Sequence, residues 1–366
     1  MKFTVERAKL AEAVNHLSRI VTGKTSLPVL DGILLSAEQG KLTIISYNLE
    51  MGIKKEIYAK CEQDGDIVIN ARILGDILRR LDGVSVEFSA DDNLMCHIKS
   101  GSAVFDLMGM DATDFPEIPS CKTETPLILS GEILKNMVRR TIFAVASSEG
   151  TRPVLTGINI IAENGILSFI AIDGYRLAIR NEKINLNTNL NVIIPGRAIG
   201  EVVKLIEEEN SDVEIYSSGN LISFETNGYT FISRLIEGVF VDYKKTVPEV
   251  YKQRIFVKAK ELNDTIERIS LVISDTFSTP VRCIFTTEEI NLSCASSVGR
   301  ATEKFPISLE GEEFEIGLNS RYLTDALKAA ETEKVKIEFS GATSGVMIKP
   351  VDSDDFLYMI MPMRLK

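Results

Sequence analysis

The sequence predicts an α+β chain built from three tandem copies of one domain, each with two helices packed on antiparallel strands. Three observations carry that reading. First, Pro28-Val29-Leu30, Pro153-Val154-Leu155 and Pro280-Val281-Arg282 each precede a short apolar strand. Leu42, Leu167 and Leu292 repeat with the same spacing of 125 residues. Second, Asn70, Pro195 and Asn319 each end an apolar strand and open a helix. Third, the apolar period switches within every copy between 3.6 and 2 residues.

The element order in each copy reads strand, helix, strands, strand, helix, strands. Helices are predicted over 5–24, 71–82, 130–146, 196–206, 258–273 and 319–330. Leu10, Val14, Leu17 and Val21 fall on one helical face, as do Leu74, Ile77, Leu78 and Leu81. Ser130 is the predicted cap of a helix whose apolar face carries Leu134, Met137, Val138 and Val145. Alternation from Lys41 to Lys55 and from Val213 to Ile222 marks strands. The domain boundaries follow at 1–121, 122–248 and 249–366, each an ordinary domain length.

With 366 residues, 45% of them hydrophobic and 16 of them Phe, the chain is not a disordered one. No apolar run approaches the roughly 18–20 residues of a membrane span, and Met1-Lys2-Phe3-Thr4-Val5-Glu6-Arg7 lacks a signal-peptide core, so a cytoplasmic location is expected. Cys61, Cys96, Cys121, Cys283 and Cys294 never stand as C-x-x-C and read as reduced thiols.

The formal charge of −11 argues against a nucleic-acid partner until it is divided by element. The six predicted helices hold 17 Lys and Arg against 10 Asp and Glu, a net +7, which leaves −18 on strands and loops. Arg72, Arg79 and Arg80 stand on the second helix; Lys135, Arg139 and Arg140 stand opposite the apolar face of the third. For any single helix an ordinary solvated face explains this. Repetition across five of six helices favours a shared cationic surface, although 258–273 is neutral. Without aromatic interleaving, the pattern suits backbone contact to a duplex rather than base stacking on a single strand.

No active site, metal or cofactor is predicted. His16 and His97 sit in no catalytic motif. Gly23-Lys24-Thr25 follows a helix and lacks the first glycine of a phosphate-binding loop. Glu207-Glu208-Glu209 and Asp352, Asp354 and Asp355 lack the spacing of a calcium loop and read as solvated surface.

Five motifs then resemble one family: Met1 to Arg7, Asn48-Leu49-Glu50-Met51, Asp114-Phe115-Pro116, Ile172-Asp173-Gly174-Tyr175-Arg176-Leu177-Ala178 and Met361-Pro362-Met363-Arg364-Leu365. They resemble the bacterial sliding clamps, the β subunits of DNA polymerase III, over essentially the whole chain. The resemblance implies a head-to-tail homodimer forming a six-domain ring. Double-stranded DNA would thread the ring, which would hold the replicative polymerase on its template without catalysing anything. It also implies the polymerase α subunit, a clamp-loader complex, other polymerases and repair proteins as partners, bound through short linear peptides, and a place at the nucleoid. Size supports two copies. A domain of ~120 residues is ~35 Å across, so three in a triangle leave a gap of about 5 Å and six in a hexagon about 35 Å, against a duplex of roughly 20 Å.

By resemblance the DNA-facing positions include Lys24, Ser148, Glu149, Arg152 and Pro153, with Glu149 an acid where phosphate approaches. The charge count adds Arg7, Arg72, Arg79, Arg80, Lys135, Arg139, Arg197 and Lys204. The partner groove would take Leu155, Ile172, Gly174, Tyr175, Arg176, Leu177, Val241 and Thr246. From the last domain it would take Thr343, Val346, Met359, Met361, Pro362, Met363 and Arg364. Its methionines suit an adaptable pocket, with Tyr175 and Arg176 as a hydrogen-bonding rim; any one methionine could equally be core strand. Val241 replaces the family's usual proline, and Lys366 extends past the usual terminal leucine. The subunit interface would join Ile73, Phe105 and Leu107 to Val272 and Ile273, with Glu303 the acid that remains beside uncharged Ser296, Ser297 and Val298. Two rivals are a clamp paralogue that binds partner peptides without supporting replication, and an enzyme using an inter-domain cleft.

Overall fold

A computed structural model describes residues 1–23, 27–123, 125–147, 150–185, 189–207, 211–273 and 279–365. The first repeat begins β1 (Lys2–Glu6), α1 (Arg7–Leu17), β2 (Gly32–Glu38), β3 (Lys41–Tyr47) and β4 (Met51–Tyr58). Short β5 (Lys60–Gln63) leads to β6 (Gly65–Asn70), α2 (Ala71–Arg80), β7 (Ser85–Ala90), β8 (Met95–Ser100) and β9 (Ala103–Met108). The second repeat opens with β10 (Leu127–Ser130), α3 (Gly131–Arg139), β11 (Gly157–Glu163), β12 (Ile166–Ile172) and β13 (Arg176–Lys183). It closes with β14 (Leu190–Pro195), α4 (Gly196–Val202), β15 (Asp212–Ser218), β16 (Leu221–Thr226) and β17 (Tyr229–Arg234). The third runs β18 (Gln253–Lys258), α5 (Ala259–Ser270), β19 (Val281–Phe285), β20 (Glu289–Ala295), β21 (Arg300–Pro306) and β22 (Leu309–Glu310). It finishes with β23 (Phe314–Leu318), α6 (Ser320–Ala330), β24 (Lys334–Phe339), β25 (Val346–Pro350) and β26 (Phe356–Ile360).

Helix starts follow the sequence closely because their caps are local. Asn70 Oδ1 accepts from the Ile73 amide at 3.1 Å, and Asn319 Oδ1 from the Tyr322 amide at 3.2 Å. Ser130 Oγ accepts from the Ile133 amide at 3.3 Å, as its position predicts. Helix ends were less legible. The predicted 5–24 helix stops at Leu17, where Ser18 Oγ donates back to the Val14 carbonyl at 2.6 Å. Val21 therefore lies beyond the helical face, while Leu10, Val14 and Leu17 are buried. The 130–146 helix likewise stops at Arg139. Thr141 Oγ1 donates to the Met137 carbonyl at 2.8 Å, and Ile142–Ala144 forms a separate 3-10 turn that takes Val145 off the face.

Two compact units result, Met1–Leu134 with Arg197–Leu235, and Lys135–Gly196 with Ile236–Lys366. The middle repeat is thus shared between them, because sheets run across repeat boundaries. In the first unit β10-β15-β16-β17-β4-β3-β2-β6 form one sheet, and β5-β1-β7-β8-β9 another. In the second, β14-β11-β12-β13-β26-β25-β24-β18-β22 form one sheet and β21-β20-β19-β23 another. The seams are antiparallel pairs, Tyr229↔Lys55 through Ser233↔Met51 in the first unit and Arg176↔Ile360 through Arg180↔Phe356 in the second.

Replacing Asn70 or Asn319 by Ala removes the acceptor for one amide at the helix start and is expected to lower stability by about 1 kcal/mol each. Urea midpoints of the two variants check this, and Asn70→Asp is expected to stay close to the parent.

Candidate peptide-binding site

A concavity with apolar walls and a few polar groups lies in the second unit, beside the β13–β26 seam. Alternation puts Ile170 and Ile172 of β12 on one face, opposite Ile179 and Leu177 of β13. With Met359 of β26 these form a buried cluster against which Leu155, Phe240, Tyr243 and Val247 pack. Above it opens a cavity of about 390 Å³ lined by Ile172, Gly174, Tyr175, Arg176, Thr246, Pro248, Ser344, Gly345, Met359 and Met361. Tyr175 and Met361 are its exposed apolar side chains. Gly345 makes the floor possible, since a Cβ there would stand 2.6 Å from Met359 Sδ.

One wall is a turn whose chemistry is encoded in Asp173-Gly174-Tyr175-Arg176. Asp173 Oδ1 accepts from the amides of Tyr175 and Arg176, both at 2.9 Å, and Gly174 takes φ +92°. Met361 closes the wall by donating its amide to the Tyr175 carbonyl at 2.8 Å. Arg176 works inside this wall rather than on its rim, a correction to the sequence reading. It is buried, with Nε 2.9 Å from Asp173 Oδ2 and a terminal nitrogen 2.6 Å from Asp325 Oδ2 on α6. Its guanidinium also stacks 4.4 Å from the Tyr322 ring centroid.

The predicted groove residues divide accordingly. Ile172, Gly174, Tyr175, Arg176, Thr246, Met359 and Met361 line the cavity, and Leu155 supports it. Leu177 and Val346 are core beneath it. Thr343 is exposed next to lining Ser344, and Val241 is half-buried in the segment before β18. Pro362, Met363 and Arg364 run on past it; Met363 bridges Gly317 of β23, its amide 2.8 Å from the Gly317 carbonyl. Sequence reasoning missed Pro248, Ser344 and Gly345, and the packing of Phe240 and Tyr243. Phe240 was reachable, since it stands 125 residues after Phe115, the aromatic of Asp114-Phe115-Pro116.

The described cationic positions lie on helices and the segments beside them in both units. Arg72, Arg152, Arg197 and Pro153 are exposed, and among the described residues these three arginines make no ion pair. Arg79 and Arg80 both pair with Asp76, Lys204 with Glu201 at 2.7 Å and Arg139 with Glu331 at 2.6 Å. Lys135 is half-buried. Arg7 is held inward, its Nε donating to the Gly83 carbonyl at 3.0 Å. Lys24, Ser148 and Glu149 lie outside the described residues. Of the interface positions, Ile73 is 47% exposed, Phe105 and Leu107 alternate half-buried along β9, and Val272 and Ile273 are half-buried after α5. Glu303 is engaged by Arg268 at 2.5 Å. Among the described residues no helix is long and apolar enough to cross a membrane. All five cysteines are free thiols, four of them buried.

Three repeats of one strand–helix unit fused through shared sheets, with a peptide-sized groove at one seam, define a chain of the DNA-clamp class. The N-terminal, central and C-terminal domain families of the DNA polymerase III beta subunit match residues 1–119, 128–242 and 244–364. The chain belongs to the DNA polymerase III beta subunit family. It is similar to the beta sliding clamps of Staphylococcus epidermidis, 31% identical over 100% of this chain and 99% of that one, and Halalkalibacterium halodurans, 32% identical over 100% of both. The crystal structure of the DNA polymerase sliding clamp from Bacillus subtilis superposes with a TM-score of 0.95 at 30% identity, covering 100% of both chains.

Arg176→Glu would gather its new carboxylate with Asp173 and Asp325 in a buried place. The expected loss is about 3–5 kcal/mol, the cost of breaking a buried ion pair, read as a lowered thermal midpoint. Tyr175→Ala, at an exposed position, is expected to leave that midpoint near the parent.

Proposed function

We propose that two copies of the chain close head to tail into a ring of six repeats around duplex DNA. The ring would serve as the non-catalytic processivity factor of a replicative polymerase. The observation that carries this is a pair of open sheet edges. β17 joins β4 and β26 joins β13, in each case the last strand of one repeat against the fourth large strand of the repeat before it. β9 and β21 are the remaining members of those two classes, and each ends its sheet. An exposed edge with Val104 60% and Met108 66% accessible invites strand addition. A second copy supplies the matching edge, and the heterologous contact closes after two chains. Ile73, Phe105 and Leu107 would then meet Val272 and Ile273, with α5 already packed against β21.

On this reading the repeats take the boundaries 1–121, 122–248 and 249–366, and the chain acts at the nucleoid in the cytoplasm. The cavity beside Tyr175 and Met361 takes short linear peptides of the polymerase α subunit, the clamp loader, other polymerases and repair proteins. Lys24, Ser148, Arg152, Arg197 and the helix cations approach the duplex backbone. A separate ATP-driven loader opens the ring.

The test loads the protein on nicked circular DNA and then linearises the circle. Loss from the ends is the expected result, and retention on linear DNA overturns enclosure. Peptide binding without any retention on the circle would instead identify a paralogue outside replication. Ile73→Arg with Leu107→Arg is expected to sediment as a monomer and to lose retention. Met361→Ala is expected to weaken partner-peptide binding about tenfold, the loss of one apolar anchor, while leaving the dimer intact.

A further inference from the structure

Glu12 and His16 stand one turn apart on α1, and Glu207 follows α4 in the same unit. One ligand atom from each lies within 4.8 Å of the other two. The i, i+4 spacing puts a carboxylate and an imidazole on one helix face, where both can reach one ion. A second observation is independent of that clustering. His16 Nδ1 is enclosed without a hydrogen-bond partner among the described residues, an unfavourable state for a polar atom. The outer contacts are those that orient ligands. Tyr229 Oη donates to Glu12 Oε1 at 3.4 Å, and the Tyr229 ring meets the imidazole edge-on at 5.3 Å.

We propose that Glu12, His16 and Glu207 form a binding site for a divalent transition-metal ion of the zinc class. One imidazole and two carboxylates suit zinc, with a fourth position left for water or an anion. Magnesium and calcium favour sites with more oxygen ligands. Lys55 is the built-in competitor. Its ammonium lies 3.9 Å from the Tyr229 ring centroid and donates to the Asn227 carbonyl. Glu207 and Glu12 oppose the drop that burial imposes on its pKa.

The test titrates the full chain with Co²⁺ as a spectroscopic probe and with Zn²⁺ by calorimetry, in excess Mg²⁺. One equivalent per chain is expected, with no thiolate charge-transfer band. His16→Ala and Glu12→Gln should each weaken binding about tenfold or more, and His97→Ala should leave it unchanged. Lys55→Met should tighten it about threefold, the effect of one screened charge at this range. Zn²⁺ should raise the thermal midpoint of the parent but not of Glu12→Gln, whose exposed position leaves the metal-free fold intact. A thiolate band, no saturable binding, or parent-like binding by Glu12→Gln overturns the proposal.

Discussion

Backbone hydrogen bonding across repeat boundaries is the constraint from which the other features descend. A strand at a sheet edge presents a row of unpaired amides and carbonyls, and a protein must pair, cover or charge it. Each repeat supplies two edges of this kind that can meet another repeat, its fourth strand and its last. Internal pairing satisfies four of the six, through Tyr229↔Lys55 and its neighbours in one unit and Arg180↔Phe356 and its neighbours in the other. The middle repeat consequently does not fold as a closed body; its strands belong to two sheets in two units. Of these seam edges β9 and β21 are left, one from each end of the line of repeats, as happens whenever repeats are joined in a line rather than a ring.

The groove descends from the same seam, yet its counterpart in the first unit is filled differently. Asn48-Leu49-Glu50 forms the same turn as Asp173-Gly174-Tyr175, with Asn48 Oδ1 accepting from the Glu50 and Met51 amides at 3.1 and 2.8 Å. Leu49 even takes φ +72°, where the second unit has glycine. At the position of Met361, however, stands Arg234, whose Nε donates to the Leu49 carbonyl at 3.0 Å. A guanidinium fastened across the turn leaves no adaptable apolar wall. A methionine fastened only by its backbone amide, over a glycine, leaves its thioether to adjust to what docks. Two residues thus separate a seam fastened by a side chain from a seam that opens into a cavity.

The repeat, the element order and the helix starts could be read from the sequence because each is written in local chemistry: a proline, a cap, an apolar period. Asn70 and Asn319 cap their helices by accepting, through their own side chains, from backbone amides three residues on. What could not be read depends on distant partners. Arg176 looks like a surface cation beside a tyrosine until Asp325, 149 residues later, is brought against it. Met363 looks like its neighbour Met361 until β23 captures it. Arg7 belongs to a basic helix by sequence, but the end of α2 turns it inward. His16 offers no motif, because Glu207 joins it only through folding.

The ion pairs on the helices bear on how such a chain can hold nucleic acid. Arg79, Arg80, Arg139 and Lys204 each have a carboxylate neighbour, which reduces the field they project. Exposed pairs of this kind are worth only about 0–1 kcal/mol, so a phosphate can displace the carboxylate at little cost and the carboxylate can displace the phosphate in turn. Contacts that exchange so easily give weak, salt-sensitive attraction without register on the duplex. That is a poor way to stay bound and a good way to slide. In the proposed ring, long residence would come from closure of the β9 and β21 edges, so the strength of those edges, not the number of cations, would set how long the protein stays on its track.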